Sequence, residues 1–370
     1  MIGMRLCWLT VEGLLLGLFL YTGRPMPLAA ALALLLLVLG SVPCSLLARK
    51  KLRAELVLPV NLPKGKPGEG SLNLENPTFL PLFCLNCRVL VENLLNGDRE
   101  VKNLRSFLLP RSRGSIPLTL GSDTCGRLRV TAEKITISDC FGVIGIAAPV
   151  TVKKSVTVQP DTFEQTLRIH SELSSTEDSE QYSPYYPGQD LAETFQIREY
   201  AEGDSPRQIH WKLTGKFDRL IVRDPGLPVT RSVLVFWERT GQSGDRNRTD
   251  AQAEVVATVC RSLLQQELAF TLGWNEEQGC ILQDVADLDT FVGILPRILG
   301  ACGRPEGVSG VRLLLQTGRF WSQTVFVGEN FTEEGLPGHV TWLTCGNQAP
   351  ADAVAFDTEN YETQLSQLGI

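Results

Sequence analysis

The sequence predicts a multidomain chain with two membrane-crossing helices at its N-terminus, then a β-sandwich-like domain, then an α/β domain. Three observations predict it. Two long apolar runs open the chain, short alternating apolar–polar runs recur from Ala54 to Pro160, and strand-like and helix-like runs alternate from Arg231 to Ile370. With 370 residues the chain is too long for one ordinary domain. Its 43% hydrophobic content is enough for real cores. The net charge of -6 argues against an overall affinity for nucleic acid, which needs a basic field to meet phosphates.

The apolar runs extend from Leu6 to Tyr21 and from Pro27 to Leu47. The second is nearly all Ala, Leu and Val and is long enough to span a bilayer. The first is shorter and carries Glu12, which is costly in lipid unless protonated or paired. Glu12 therefore faces a partner helix, or the first run sits shallowly. Tyr21 to Pro25 leaves room only for a tight turn, so residues 1–50 read as a hairpin of two transmembrane helices. Arg49, Lys50, Lys51 and Arg53 follow directly, and positive flanks stay in the cytoplasm. Both chain ends and the folded mass are expected on that side. A cleaved signal peptide would still leave the second run as an anchor, and no small-x-small cleavage site is obvious. Ser41-Val42-Pro43-Cys44 superficially has the form of a lipoprotein cysteine, but the proline fits that reading poorly.

Residues 54–160 read as a β-sandwich-like domain. Ser71–Leu74, Cys87–Val91, Arg127–Thr131, Val150–Lys153 and Val156–Val158 alternate between Gly, Pro and Asn turns. Residues 161–190 read as a flexible acidic linker, because Ser171 to Glu180 is acidic and small-polar and buries little surface. The ten cysteines are scattered, with one CxxC at Cys84 and Cys87, and there are only three histidines. Neither a disulfide framework nor a zinc site follows from that spacing.

Residues 191–230 form a charged cassette. Phe195 to Tyr200 alternates as a strand and Glu202 to Pro206 turns the chain. Asp204 or Ser205 is placed to cap a short helix with Pro206 at its first position, carrying Arg207, His210, Trp211 and Lys212. Phe217 to Asp224 returns as a strand. The opposite charges beside Trp211, namely Arg198, Glu199, Asp204, Arg207, Lys212, Arg219, Arg223 and Asp224, point to a paired network at a domain junction or docking face. The alternative is arginines that grip a carboxylate or phosphate. No general base with a nearby nucleophile is apparent.

The run Arg198-Glu199-Tyr200-Ala201-Glu202-Gly203-Asp204-Ser205-Pro206-Arg207-Gln208-Ile209-His210-Trp211-Lys212 closely resembles the signature of the domain-of-unknown-function 58 family, with His210 in place of the usual acidic residue. Asp139-Cys140-Phe141-Gly142-Val143 resembles a second family turn, with Cys140 for proline. The resemblance implies a von Willebrand factor type A-like fold for residues 231–370 and a MoxR-type AAA+ ATPase as partner. It directs attention to Arg198, Glu199, Tyr200, Gly203, Asp204, Arg207, Trp211 and Lys212 as docking or junction residues. Von Willebrand type A folds often hold a divalent metal after the first strand. Here that position reads Glu238-Arg239-Thr240-Gly241-Gln242, a degenerate set in which Glu238 and Thr240 keep oxygens while Arg239 places a cation where a metal would sit. No cofactor is expected, and magnesium only as an exception.

In residues 231–370, Ser232–Trp237 reads as a buried strand, Asp250–Glu267 as a helix, Leu268–Trp274 as a strand, Val285–Leu299 as a helix broken near Pro296, and Val308–Thr317 as a helix. Gln323–Val327, Val340–Leu343 and Ala353–Phe356 read as strands. That alternation favours a mainly parallel sheet covered on both faces. The phosphate-binding G-x-x-x-x-G-K-[ST] loop, the H-E-x-x-H zinc motif and the G-x-S-x-G elbow are all missing from the sequence. The expected role is a membrane-anchored interaction protein on the cytoplasmic side. Two alternatives stand beside it: a membrane-associated enzyme using Asp204 or His210, and a scaffold that self-associates through Glu12.

Overall fold

The computed structural model describes residues 2–139, 142–168, 181–201, 203–229, 233–239, 245–276, 279–301, 309–319, 321–329, 336, 338–346 and 353–370. The chain divides into two compact units, Met1–Gln159 and Pro160–Ile370.

The first unit opens with helices α1 (Ile2–Thr22) and α2 (Pro25–Arg49). At 1.5 Å per residue they are roughly 31 and 37 Å long, and each is apolar enough to cross a membrane by length and composition. Gly23, with φ +65°, turns the chain and donates its N–H to the Phe19 carbonyl at 2.9 Å. Pro25 then opens α2 where no backbone donor is required. The last turn of α2 enters the β-rich part: Ala48 and Leu52 are buried in the same core as the strands. Helix and β domain are thereby joined without a spacer.

Nine strands follow: β1 (Arg53–Val57), β2 (Asn61–Pro63), β3 (Gly68–Asn76), β4 (Leu82–Asn93), β5 (Arg99–Leu108), β6 (Ser112–Leu120), β7 (Gly126–Ser138), β8 (Gly145–Ala148) and β9 (Val152–Gln159). They form two sheets, β1-β3-β6 and β2-β9-β7-β4-β5, with β8 paired to β7. Every second residue turns inward, so Leu72, Leu74, Val89, Val91, Leu128 and Val130 meet in one core of Leu, Val and Ile. Cys84 and Cys87 stand three apart on β4 and so project from opposite faces. Burial pushes the Cys87 thiol up to about 11, which keeps it neutral and unreactive.

The second unit begins with β10 (Thr166–Arg168), paired in parallel with β19 (Gln367–Gly369) at the other end of the chain. This corrects the expected linker of residues 161–190 at residues 166–168. Leu167 is buried between polar neighbours and finds a partner in the last residues, where Leu368 and Ile370 are also buried. Residues 181–190 belong to β11 (Gln181–Glu199), which pairs antiparallel with β12 (Ile221–Val229). The stretch 169–180 lies outside the described residues.

The central sheet has the order β15-β14-β13-β16-β17-β18. Its strands are β13 (Val233–Trp237), β14 (Phe270–Glu276), β15 (Gly279–Val285), β16 (Gln323–Val327), β17 (His339–Cys345) and β18 (Ala353–Phe356). Five run parallel, and β15 alone is antiparallel, on the β14 edge. Strands β13 and β16 are buried along their whole length, as a sheet covered on both faces requires. The helices are α4 (Arg246–Gln265), α5 (Leu288–Ile298), α6 (Gly310–Gln316) and α7 (Tyr361–Gln364). Strand β15 takes Val285, which the sequence assigned to a helix. The helix starts at Leu288 because Asp287 caps it, accepting the Thr290 N–H at 2.7 Å.

Helix α4 is buried on polar as well as apolar positions. Gln252 accepts the Trp237 indole N–H at 3.3 Å, Glu254 accepts the Tyr361 hydroxyl, and Gln266, just past the helix end, donates to the Leu167 carbonyl at 3.0 Å. The first contact ties α4 to the central sheet, and the other two tie α7 to the helix and β10 to its end.

Candidate functional site

The cassette is an excursion between β11 and β12. In a two-stranded sheet, paired to no further strand among the described residues, backbone pairing alone is marginal. A side-chain clasp supplies the rest. Arg198, at the end of β11, donates from Nη1 and Nη2 to the two carboxylate oxygens of Asp204 at 2.7 and 2.8 Å, and from Nε to Asp224 at 3.0 Å. Asp224 also accepts from the Gln196 amide at 3.0 Å, and Asp204 from the Ala201 N–H at 2.7 Å. The register explains the convergence: Arg198 opposes Val222 and Gln196 opposes Asp224, so these three polar side chains share one face of the hairpin. Gln196 was missed by sequence reasoning, and Asp224 was placed among the charges of the expected network without its partner. The alternation Gln196-x-Arg198 was the available signal, but only the pairing register places Asp224 diagonally across from it.

The turn differs from the expected one. Ser205 caps only a short 3-10 turn, Pro206–Gln208, accepting the Arg207 N–H at 3.4 Å. Ile209 is extended and forms a bridge with Val222, which stops that turn. The α-helix proper is α3 (Trp211–Phe217), and His210 caps it by accepting the Leu213 N–H on Nδ1 at 3.4 Å. His210 therefore does the capping work that an acidic residue would do at this position. Gly203 sits at φ +109°, a conformation only glycine adopts readily, and Glu202 lies outside the described residues.

The predicted residues separate into two groups. Arg198 and Asp204 are engaged in the clasp. Glu199 makes an exposed pair with Arg219 at 2.8 Å, of little energetic weight at that exposure. Tyr200 donates its backbone N–H to Leu220, while Arg207 and Lys212 are exposed. Trp211 is 68% exposed, and Phe217, Ile197, Leu220 and Tyr200 are exposed on the same excursion. The excursion thus carries several large apolar side chains in solvent on a short segment.

The hydrogen bonds from Arg198 and Ala201 hold the Asp204 carboxyl far below its ordinary value of 3.8, down to about 2. A depressed carboxylate stabilises the fold above its unfolded value and loses that contribution as pH falls through the folded one. Hydrogen-exchange protection of the Tyr200 and Ala201 amides is therefore expected to stay flat from neutral pH to about 4 and to fall between about 4 and 2. Asp204→Asn is expected to remove that step and to lower protection above about pH 4.

The second predicted position lies at the C-terminal end of β13, where the crossovers reverse between β14 on one side and β16 on the other. Glu238 is completely buried and its carboxylate accepts the Gly310 N–H at the start of α6. Arg239 is 1% exposed. Its guanidinium lies 4.8 Å from the Trp237 ring and donates to the carbonyls of Ile298, at 3.2 Å, and of Ala301 at the end of α5. Thr240 lies outside the described residues. Among the described residues no group of three or more His, Cys, Asp or Glu is arranged to hold a metal. The Glu238 oxygen is thus committed to a helix end, and the arginine cation is absorbed by interior carbonyls.

Glycines make this packing possible. A Cβ on Gly310 would stand 2.5 Å from the Phe236 ring and 2.6 Å from the Glu238 carboxylate, and one on Gly328 would stand 2.4 Å from the Glu238 Cβ. Gly310→Ala is expected to lower stability by about 1–3 kcal/mol in a denaturant titration, as overpacking of a filled core does.

No protein-family model and no curated protein matches the chain. Solved structures match only weakly. The CARDB domain of the PF1109 protein from Pyrococcus furiosus is 18% identical over 29% of this chain and 87% of its own, with a TM-score of 0.23. A β-glucosidase from Listeria innocua is 13% identical over 29% of this chain and 16% of its own, with a TM-score of 0.22. An α-2-macroglobulin from Escherichia coli is 21% identical over 30% of this chain and 17% of its own, with a TM-score of 0.22. Likenesses this slight carry no argument about fold or function.

Proposed function

We propose that the chain is a membrane-anchored adaptor that holds its folded mass on the cytoplasmic side and docks a MoxR-type AAA+ ATPase through the cassette. The single observation that carries this reading is the division of labour around residue 198. Every nitrogen of the Arg198 side chain donates to a carboxylate of its own cassette, while Trp211 and its apolar neighbours remain in solvent with Arg207 and Lys212. Arg198 is therefore a brace that presents the excursion. Trp, Tyr and Arg are the residue types that dominate binding energy at protein interfaces.

The resemblance to the domain-of-unknown-function 58 family supplies the partner class, and the partner supplies the nucleotide chemistry. A multi-pass hairpin with Arg49, Lys50, Lys51 and Arg53 at its exit supports the cytoplasmic orientation. A β-sandwich-like first unit and a von Willebrand factor type A-like second unit accord with the two-sheet core and the parallel sheet. The competing acid–base role for Asp204 is disfavoured by its chemistry: a carboxyl held near 2 is a poor proton acceptor at neutral pH.

Purification of the full chain from detergent extract, with mass spectrometry of what co-elutes, tests the reading. A co-purifying AAA+ ATPase is expected; a catalytically active chain without companions, or a homo-oligomer alone, overturns it. Protease added outside intact cells is expected to spare the soluble part. Calorimetric titration with magnesium is expected to give no saturable heat, because Glu238 and Arg239 are already engaged with the fold.

A further inference from the structure

Among the described residues, the β domain of the first unit places its phenylalanines outside. Its core is built from Leu, Val and Ile, whereas Phe79, Phe83 and Phe107 are 70%, 56% and 66% exposed, and Leu109 is 61% exposed. These four side chains gather at one end of the domain. Arg53 on β1 opposes Glu75 on β3, which opposes Arg113 on β6, and β1 runs away from α2. The residues just past Glu75 and just before Arg113 therefore lie at the end from which α2 emerges. Leu82 opposes Leu108 in the other sheet, so the loops 77–81 and 109–111 are neighbours there. The Arg111 N–H donates to the Thr78 carbonyl at 2.9 Å, and the Asn76 amide donates to the carbonyls of both Leu80 and Leu109.

The charge at this end matches the apolar tip. The Arg111 guanidinium lies 3.7 Å from the Phe79 ring centre, an aromatic–cation pair that suits a headgroup layer. Arg53 and Arg113 share the single carboxylate of Glu75, at 3.9 and 3.0 Å, and line a cleft of about 890 Å³. Helix α2 is fixed to the domain because Ala48 and Leu52 lie in its core, so the tip has a set position relative to the hairpin.

We propose that this end of the β domain seats on the lipid surface, with Phe79, Phe83, Phe107 and Leu109 in the interfacial layer and Arg53, Arg111 and Arg113 against anionic headgroups. The inference rests on the reading of α1 and α2 as a membrane hairpin. Exposed aromatics with flanking cations are the combination that partitions to that layer, and an anionic leaflet attracts each basic residue held near it. A protein partner would leave the continuity with the hairpin unexplained.

The test places the photo-reactive residue p-benzoylphenylalanine at position 79, 107 or 101 of the full chain, reconstituted in phosphatidylcholine vesicles with and without phosphatidylglycerol. Val101 is exposed on β5 but lies roughly 20 Å from Phe107 at about 3.4 Å per residue. Irradiation is expected to give lipid adducts at 79 and 107 and few at 101, with yields that rise when phosphatidylglycerol is present. Alkaline carbonate extraction separates the two readings. If the chain resists extraction and positions 79 and 107 cross-link no more lipid than 101, or cross-link a second copy instead, the seating is wrong while the anchor stands. If carbonate releases the chain, the anchor itself fails and the seating falls with it.

Discussion

Replacement of Trp211 by alanine is expected to weaken capture of the proposed AAA+ partner by about 30-fold or more while leaving the fold unchanged. The magnitude follows from hot-spot energetics. An interface tryptophan costs about 2 kcal/mol or more when truncated, and about 1.4 kcal/mol is a tenfold change. The selectivity follows from exposure: at 68% exposed, Trp211 contributes little to packing, so a melt of the variant is expected to fall within about 0.5 kcal/mol of wild type. Removing Arg207 or Lys212 is expected to act differently, slowing association and flattening its salt dependence, because exposed charges steer encounter more than they hold the complex. Arg198→Ala is expected to impair capture together with loss of amide protection across the cassette. Kinetics of the purified ATPase on immobilised full-length chain measure all four variants. Wild-type affinity for Trp211→Ala would sink the docking face.

The second large effect is expected in the interior of the parallel sheet. Phe236 is completely buried, stacks on Phe326 with ring centres 5.7 Å apart, and belongs to the core that also holds Val311, Leu314 and Trp342. Two glycines make room for its ring: a Cβ on Gly273 would stand 2.7 Å from it, and one on Gly310 would stand 2.5 Å away. Phe236→Ala removes the ring and leaves glycines that cannot fill the space, so the loss is expected at about 3–5 kcal/mol, the range for truncating a buried phenylalanine. Because Gly310 also donates its N–H to Glu238, the same substitution is expected to loosen the start of α6. Denaturant titration of the full chain in detergent, with tryptophan fluorescence, checks the magnitude. A loss below about 1 kcal/mol would mean that the core collapses onto the vacated volume.

Much of the architecture was legible because its physical causes are local. The two apolar runs, the period-two alternation over residues 71–158, and strands such as Gln323–Val327 and Ala353–Phe356 coincide with elements of the structure. Helix α4 was found from its apolar spacing, but it starts at Arg246, four residues before the expected Asp250, because Asp245 caps it. Three features were not legible. Strand β10 is three residues long and pairs with residues 367–369, a contact across some two hundred positions that no window detects. Strand β15 is an edge strand, half-buried for most of its length, and so lacks the clean alternation that marks its neighbours. In the cassette, the helix began later than expected because the bridge between Ile209 and Val222 outcompetes the helical start offered by Ser205 and Pro206.

What the sequence determined by itself is the class of each segment: apolar helices at the start, alternating strands next, and a strand–helix alternation at the end, with a charged excursion between. Those properties depend on side-chain period and composition, which act over a few residues. The tertiary structure alone decided which charges meet. The Asp224 carboxylate reaches Arg198 because two strands pair in one register, Glu238 reaches Gly310 because α6 starts beneath it, and four exposed apolar side chains gather because two loops lie at the same end as α2. Such contacts form between residues far apart in the chain, and their partners are set by topology rather than by any local preference.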